Sequence, residues 1–564
     1  MNIREVRDSL MNRNTKYDTR LEAARASQSL RTGLVAASLI LSTGLTAVSP
    51  CCAAESKKEA KEQTKTQVKK QAKTSTTSSA AIPATVGTST AALKPEPWRK
   101  DAPEATEPRP FKLPAVETYK LENGLKVQLV EDHRVPYVTV FLGFKAGKLL
   151  DDNQTLGVAQ LTADMLTEGT GSRSSKELAD QIDYIGGSLG AHTGYDFTLL
   201  NGSALSNSTA KLFELFSDVL LNPSFPEDEI KLKKANWLQA LIMKRSQPSF
   251  LLEERFRKVI FGGHPYGIVA PHPDMVSAIT QKDLVEFHKQ HYIPNDAILL
   301  VLGDFDKSKM KELISNSLGE WQAGERKEAS LPHVPSHKGR KIYLVNRPGS
   351  VQSSLKLGNL GIKKTDPDYF KILVMNEVLG GAAHSRLFAN IRENKGYTYG
   401  AYSSSATRVH PDVFYASADV RTDVTAASLQ EFLYELEKIR NLKPKTDELT
   451  TAKNYLTGTF QLGIETQAGL AQRLLEVSLY GLPDDYLETY TKKVMAVTPE
   501  DVRVAARRII QAKDLVITVV GDAEKIQPDL EMFAPVEVYS TEGEAVTRAE
   551  SSSGSDAGSG DPDS

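Results

Sequence analysis

The chain repeats itself, and that repeat limits the possible folds more than any other feature. ITQKDLVEFHKQHYIPNDAILLVLGDF in the first half matches VTPEDVRVAARRIIQAKDLVITVVGDA in the second. Thr280 aligns with Thr498, Asp283 with Asp501, Gly303 with Gly521 and Asp304 with Asp522, each pair 218 positions apart. Asn236-Trp237-Leu238 meets Asn454-Tyr455-Leu456 at the same offset. Solenoids repeat every ~20–50 residues, so a period this long marks a duplicated domain. The expected layout is an N-terminal domain over 111–325 and a C-terminal domain over 340–538, with a hinge in the Pro-, Gly- and charge-rich stretch 319–339.

Within each half, strand and helix signals mix. Asn123-Gly124 between two alternating apolar stretches predicts a β-hairpin. Residues 136–144, 188–204 and 297–303 read as strands. Helical spacing covers 156–166, 175–185, 210–221, 227–245 and 251–259, with Ser174 and Ser175 as caps and Gly186-Gly187 as a stop. Hairpins beside helical runs argue for an α+β fold in which each domain is an antiparallel sheet with packed helices, rather than a doubly wound sheet.

Composition narrows the function. The 564 residues carry 69 Lys+Arg against 71 Asp+Glu, a formal net charge of -2, which offers no basic field for nucleic acid. The two cysteines are adjacent, Cys51 and Cys52, so neither a disulfide framework nor a cysteine metal site is available to the domains. Arg20, Arg25 and Arg31 precede an apolar run over 32–48 and then small residues, the pattern of an export signal over 1–54. Cleavage after Ala54 would leave a thiol-free chain. The alternative is an uncleaved anchor, although the run is at the short end of the ~17–25 residues that span a bilayer. Residues 55–110 read as a flexible linker and 540–564 as a disordered tail. The chain is expected to be exported, periplasmic or extracellular, and membrane-tethered only if the signal stays attached.

Six landmarks stand in a fixed order: LENGLKVQLVED, GVAQLTADMLTEGTGSRSSKELADQIDYIGGSLGAHT, NPSFPEDEIKLKKANWLQAL, FGGHPYG, FHKQHYIPNDAILLVLGDF and LGGAAHSRLFANIRENKGYTYGAYS. As a set they resemble the insulinase/pitrilysin zinc peptidases, most closely the mitochondrial-processing-peptidase-like branch. The resemblance implies two α+β halves per chain, and two such units closing around a peptide.

Active members of that family carry H-x-x-E-H on the first helix. Its two histidines share a helix face, a distant Glu completes an open zinc site, and the Glu between them serves as general base. Zinc lowers the pKa of its bound water to about 7 and so supplies the nucleophile. Here the motif reads Gln160-Leu161-Thr162-Ala163-Asp164. Both histidines and the base are replaced, and the distant ligand falls on Ala240, with Gln239 and Leu241 as neighbouring registers. The resemblance therefore implies no metal and no other cofactor in this chain. His288 and His291, with Glu286 nearby, form a possible metal face, but packing and capping before the strand at Ala297 is the preferred reading. His264 reads as a loop residue. His192 and His384 fall near the family's substrate-contact regions without ligand spacing.

The second half keeps what the first lost. Active members hold an Arg and a Tyr seven residues apart, matching Arg392 and Tyr399, with Tyr397 a near alternative. The guanidinium fork and the phenol suit a substrate carbonyl and the charge that develops on it. Gly396 is expected to end the helix holding Arg392, so that Tyr399 can start a strand. The strand GGSLGAHT lies along the substrate in the family, which makes Gly190, Ala191 and Thr193 candidate peptide contacts by β-augmentation. Active members often have Asn where this chain has Gly190.

Loss and retention together imply a non-catalytic, substrate-binding subunit of a heterodimeric zinc peptidase. Such a chain would be inactive alone. Its partner would carry H-x-x-E-H and the zinc, and the shared ligand would be a peptide. The alternatives are a structural core-type subunit of a membrane complex, or a peptide-binding module without proteolysis.

Overall fold

The computed structural model describes residues 111–152 and 154–546. The export signal, the 55–110 linker and the tail beyond 546 lie outside the described residues.

Two six-stranded sheets organise the chain. Sheet one contains β1 (Val116–Lys120), β2 (Lys126–Glu131), β3 (Tyr137–Phe144), β4 (Ser188–Thr193), β5 (Thr198–Leu205) and β6 (Ala297–Gly303), in the order β1-β2-β6-β3-β5-β4. Sheet two contains β7 (Lys341–Asn346), β8 (Gln352–Leu360), β9 (Thr398–Thr407), β10 (Pro411–Arg421), β11 (Val516–Gly521) and β12 (Val536–Tyr539), in the order β12-β7-β11-β8-β10-β9. Five positions correspond one to one. The outermost strand comes from the start of the first half but from the end of the second.

The helices follow the same plan. The first half has α1 (Val158–Met165), α2 (Ser175–Tyr184), α3 (Thr209–Leu221), α4 (Glu227–Arg245), α5 (Pro248–Phe261), α6 (Pro273–Ala278), α7 (Gln281–His291) and α8 (Lys307–Leu318). The second has α9 (Tyr369–Asn376), α10 (Thr425–Asn441), α11 (Thr446–Gly463), α12 (Gln467–Tyr480), α13 (Tyr486–Ala496), α14 (Pro499–Ile509) and α15 (Ala523–Leu530). Capping residues set equivalent starts. Thr280 accepts from Asp283 N–H at α7, and Thr498 accepts from Asp501 N–H at α14, each with the reciprocal carboxylate bond.

The α+β class stands, but two sequence expectations need correction. The sheets are mixed, not antiparallel: β2 runs parallel to β6, and β7 runs parallel to β11 and β12. The cause is the long helical excursion before β6, which brings that strand back between β2 and β3, antiparallel to one and parallel to the other. Residues 188–204 are not one strand but the β4–β5 hairpin, closed by Gly194 N–H donating to Phe197 O at 2.8 Å. The apolar alternation runs on through the turn and hides it.

The halves exchange helices. Leu470, Ala471, Leu474 and Leu475 of α12 pack on Val130, Ile298, Leu300 and Leu302 of sheet one. Reciprocally, Phe256 and Ile260 of α5 pack with Val413 and Val516, and Leu251 and Leu252 with Val345 and Val520, all from sheet two. The opposite face of each sheet is covered by helices of its own half. Central strands β6 and β11 are therefore covered on both faces and buried throughout.

A buried polar cluster fixes this exchange. Arg257 of α5 donates through Nη2 to Asp412 Oδ1 at 2.7 Å, and Arg408 donates through Nε to Asp412 Oδ2 at 2.6 Å. Arg257 Nε also donates to Tyr266 O at 2.7 Å. Lys356 of β8 pairs with Glu253 of α5, and Tyr266 bonds Asp196, whose other oxygen accepts from Val409 N–H at 3.2 Å. Arg257 and Asp412 are 6% and 0% exposed, so neither charge can fall back on water.

A second buried charge has no such support. Glu377 starts a widened, π-type turn over Glu377–Gly381, and its Oε1 lacks a hydrogen-bond partner. Burial raises its pKa to about 7. His384 Nε2 lies 3.4 Å away, and burial lowers that imidazole's pKa.

Two predictions follow from these charges. Asp412→Ala strands two guanidinium groups and is expected to destabilise the fold by about 3–5 kcal/mol. The double variant Arg257→Met/Asp412→Leu should recover much of that loss in urea unfolding; equal losses in both would remove the ion pair from this account. For Glu377, the folded pKa lies above the unfolded one. Its stability contribution is full below about 4.5 and is lost as pH rises through about 7. Glu377→Gln should therefore match wild type at pH 4 and exceed it by about 3 kcal/mol at pH 8, read from denaturation midpoints at each pH.

Candidate functional site

The site is built around α1. Its first turn is fixed by Asp151, whose Oδ2 accepts from Gly157 N–H and whose Oδ1 accepts from Ala159 N–H, both at 2.8 Å. Burial raises the Asp151 pKa to about 6 against those two bonds and nearby Lys148. Gly157 has φ +101° and lies under Trp237 of α4, where a Cβ would stand 2.6 Å from the indole. The helix therefore has its own cap and its own packing.

Leu161, Ala163 and Met165 turn inward and are buried. Gln160 and Asp164, one turn apart, remain half-buried. Burial raises the Asp164 pKa, while Lys233, a hydrogen bond from Gln160 and Lys148 oppose that shift. Lys233 also pairs with Glu168 at 2.7 Å. On α4, Ala240 is half-buried, Gln239 is exposed and Leu241 is buried. One carboxylate, one amide and two alanines are a poor fit to zinc, which takes N, S and carboxylate donors in a tetrahedral set. Among the described residues, no three His, Cys, Asp or Glu side chains converge as a metal cluster.

The histidines have other partners. His288 Nε2 donates to Leu220 O at 2.8 Å, and His291 packs on Phe287 with its pKa lowered by burial to about 4. Glu286 pairs with Lys282. His264 Nδ1 accepts from Tyr266 N–H at 3.1 Å. His192 is exposed on β4, and His384 contacts Glu377 and the ring of Tyr455.

Beside α1 opens a cavity of about 380 Å³, lined by Lys148, Gln160, Trp237, Leu241, Lys244 and Phe250 among others. Lys148 follows β3 on a one-turn segment strapped to the β4–β5 loop. Its N–H donates to Gly194 O at 3.0 Å, and Gly147 lies so close to Tyr195 O that a Cβ would not fit. Sequence reasoning missed Lys148, Lys233, Asp151 and the role of Trp237. The Trp237 signal was present, since it anchors the 218-residue repeat, but nothing in the spacing pointed it at α1.

Arg392 and Tyr399 sit elsewhere, at the edge of sheet two. Arg392 lies in a second π-type turn, Phe388–Asn394, rather than in a regular helix. Gly396, at φ +64°, ends that turn as expected, its N–H donating to Arg392 O at 3.0 Å. The turn widens where Asn390 donates to Glu431 and Glu435 of α10 at 3.0 and 3.1 Å. The guanidinium pairs with Glu393 and stands 5.0 Å from the ring centroid of Phe388. Tyr399, second in β9, is 93% exposed, whereas Tyr397 is half-buried against the core of its half. Among the described residues, no hydrogen bond, ion pair or ring contact joins Arg392 or Tyr399 to the α1 face.

β4 and β9 are the equivalent edge strands of the two sheets. On β4, Ala191 packs inward on the core, and Thr193 Oγ1 accepts from Thr198 Oγ1 at 2.7 Å. A Cβ at Gly190 would meet nothing within 4 Å, so packing does not require glycine there.

No helix among the described residues is long and apolar enough to cross a membrane. The insulinase (peptidase family M16) profile matches residues 126–271, and the peptidase M16 inactive domain profile matches residues 278–456. An uncharacterized zinc protease of Streptomyces coelicolor is 24% identical over 63% of this chain and 78% of its own length. The crystal structure of a peptidase M16 inactive domain from Pseudomonas fluorescens matches with TM-score 0.68 and 27% identity, covering 72% of this chain and 98% of that one. The periplasmic protease PqqL of Escherichia coli shares the fold, with TM-score 0.60 and 16% identity over 73% of this chain and 48% of that one. With the two profiles together spanning most of the described residues, the chain belongs to the insulinase family, peptidase family M16.

Proposed function

We propose that this chain is the non-catalytic, substrate-binding subunit of an exported heterodimeric zinc peptidase. The partner is a chain of similar fold carrying H-x-x-E-H, the zinc and the general base. This chain holds no zinc, is inactive alone, and contributes Arg392 and Tyr399 to the shared peptide site. One observation carries the reading: α1 keeps a fixed, capped helix with neither metal ligands nor base, while Tyr399 stands in solvent beside Arg392's turn on an open sheet edge. A pair with no contact to its own α1 face suits chemistry supplied by another chain. The fold shared with a periplasmic protease and the signal-like N-terminus support an exported location.

In the shared site, the Arg392 fork would hold a peptide carbonyl and the Tyr399 hydroxyl would donate to the oxygen as charge builds on it. The partner's zinc supplies the activated water when bound. The free edges of β4 and β9 offer main-chain donors and acceptors to an extended peptide.

The test is a pull-down of the full chain from its source cells, followed by kinetics of the recovered complex. A one-to-one H-x-x-E-H partner is expected. Arg392→Ala should lower turnover by ~10²–10³-fold, the scale of one lost transition-state donor, with unchanged complex yield. Arg392→Lys should rescue only part, since an ammonium lacks the planar fork. A fully active Arg392→Ala complex overturns the role of the pair. Recovery of the chain without any such partner overturns the heterodimer.

A further inference from the structure

We propose that the cavity beside α1 is a carboxylate subsite that takes the C-terminal residue of a bound peptide. The proposal rests on the peptide-binding reading above and names the part of the peptide that this chain would recognise.

Lys148 carries the argument. Lys148 is half-buried and feels the charges of Asp151 and Asp164, yet among the described residues no carboxylate lies within the 4.0 Å of an ion pair with it. The two nearest acids are engaged elsewhere: both Asp151 oxygens hold backbone amides, and Asp164 is held by Gln160 and faces Lys233. Lys244 on the cavity rim is likewise without an ion pair, and both it and Arg408 act on Lys148 as like charges. Glu253, the one carboxylate lining the cavity, is bound to Lys356 and Arg257. Two lysines without ion pairs at one cavity, Lys148 half-buried and Lys244 exposed, favour an incoming anion.

The walls select the class of anion. Trp237, Leu241 and Phe250 line the cavity together with the lysines and give it apolar wall. A bare inorganic anion gains nothing from such walls. A peptide's last residue offers both halves at once, a carboxylate for Lys148 and a side chain for the indole. The volume of about 380 Å³ lies within the ~300–1,000 Å³ of ordinary ligand sites. The polarity is the reverse of a metal site: where an H-x-x-E-H helix gathers donors around a dication, this helix borders an ammonium that lacks its anion.

The test uses the full chain and three probes: N-acetyl-Ala-Ala-Ala-Phe as the free acid, the same peptide as its C-terminal amide, and N-acetyl-Ala-Ala-Phe-Glu amide. Binding is read by calorimetry and by intrinsic fluorescence, with the Trp237 part identified against a Trp98→Phe/Trp321→Phe background. The free acid is expected to bind about ten-fold tighter than its amide, a gap typical of one charge-assisted contact. Lys148→Met should erase that gap, and Lys148→Arg should keep it. Equal binding of acid and amide, or a gap that survives both Lys148→Met and Lys148→Gln, overturns the subsite while leaving the Arg392 reading intact. Preference for the Glu-bearing amide overturns the C-terminal assignment. Failure of every probe to bind overturns the subsite and the peptide reading together.

Discussion

The ion pair between Arg257 and Asp412 is where the two halves become one molecule. Arg257 lies on a helix of the first half that has left its own sheet, and Asp412 lies on a strand of the second. Arg408 shares the same carboxylate, so both Asp412 oxygens are satisfied and the residue is fully buried. Desolvating three charges is unfavourable unless the geometry is complete. The exchange of α5 and α12 makes it complete by bringing each half's helix onto the other's sheet. Sheet one thereby gains its second cover from residues far along the chain, and sheet two from residues far back. Each half has a main core of its own residues, and leaves the other face of its sheet to be covered by a helix of the other half.

That mutual cover leaves α1 free of any structural need for a metal. In many metalloproteins, ligand coordination adds directly to folding energy. Here the same work is done by a remote carboxylate at the helix start and an indole pressed against a glycine. The charges then rearrange. Asp164 sits with an amide and two lysines, and burial, with a smaller push from Glu168, raises its pKa against them. The helix keeps its place while its chemistry changes sign.

Much of this was legible in the sequence because it is local or repeated. The constant offset from Trp237 to Gly303 marked the duplication, and the Thr280/Asp283 and Thr498/Asp501 pairs it aligned prove to be the capping boxes of α7 and α14. α4 and β6 ended where their apolar patterns end. What escaped was non-local. The parallel pairing of β2 with β6 depends on where a strand returns after a long excursion, which no pattern within the strand records. The hairpin at Gly194 was masked by alternation that continues through the turn. Lys148 was invisible for a related reason: its place depends on Gly147 meeting Tyr195, a contact between segments that only the folded sheet brings together. The motif positions Gln160, Ala163 and Asp164 were found only because a resemblance named them, and the pattern by itself reads as an ordinary amphipathic helix.

The duplicated design also lets the two edges be compared strand for strand. β4 and β9 hold equivalent places, each with one side unpaired. On β4, Leu189 and Ala191 turn to the core and Thr193 bonds its own hairpin, while His192 is exposed. On β9 the second residue is a tyrosine almost wholly in solvent. An open strand edge is a standing invitation to pairing, and folds blunt it with charge, proline or cover unless something is meant to dock there. β9 has none of these near its start; it presents an aromatic ring next to the turn that carries Arg392. A large apolar side chain held this far out of the core gains nothing for the isolated chain. Under the proposed two-chain arrangement, a second surface covering this edge would account for the ring's position.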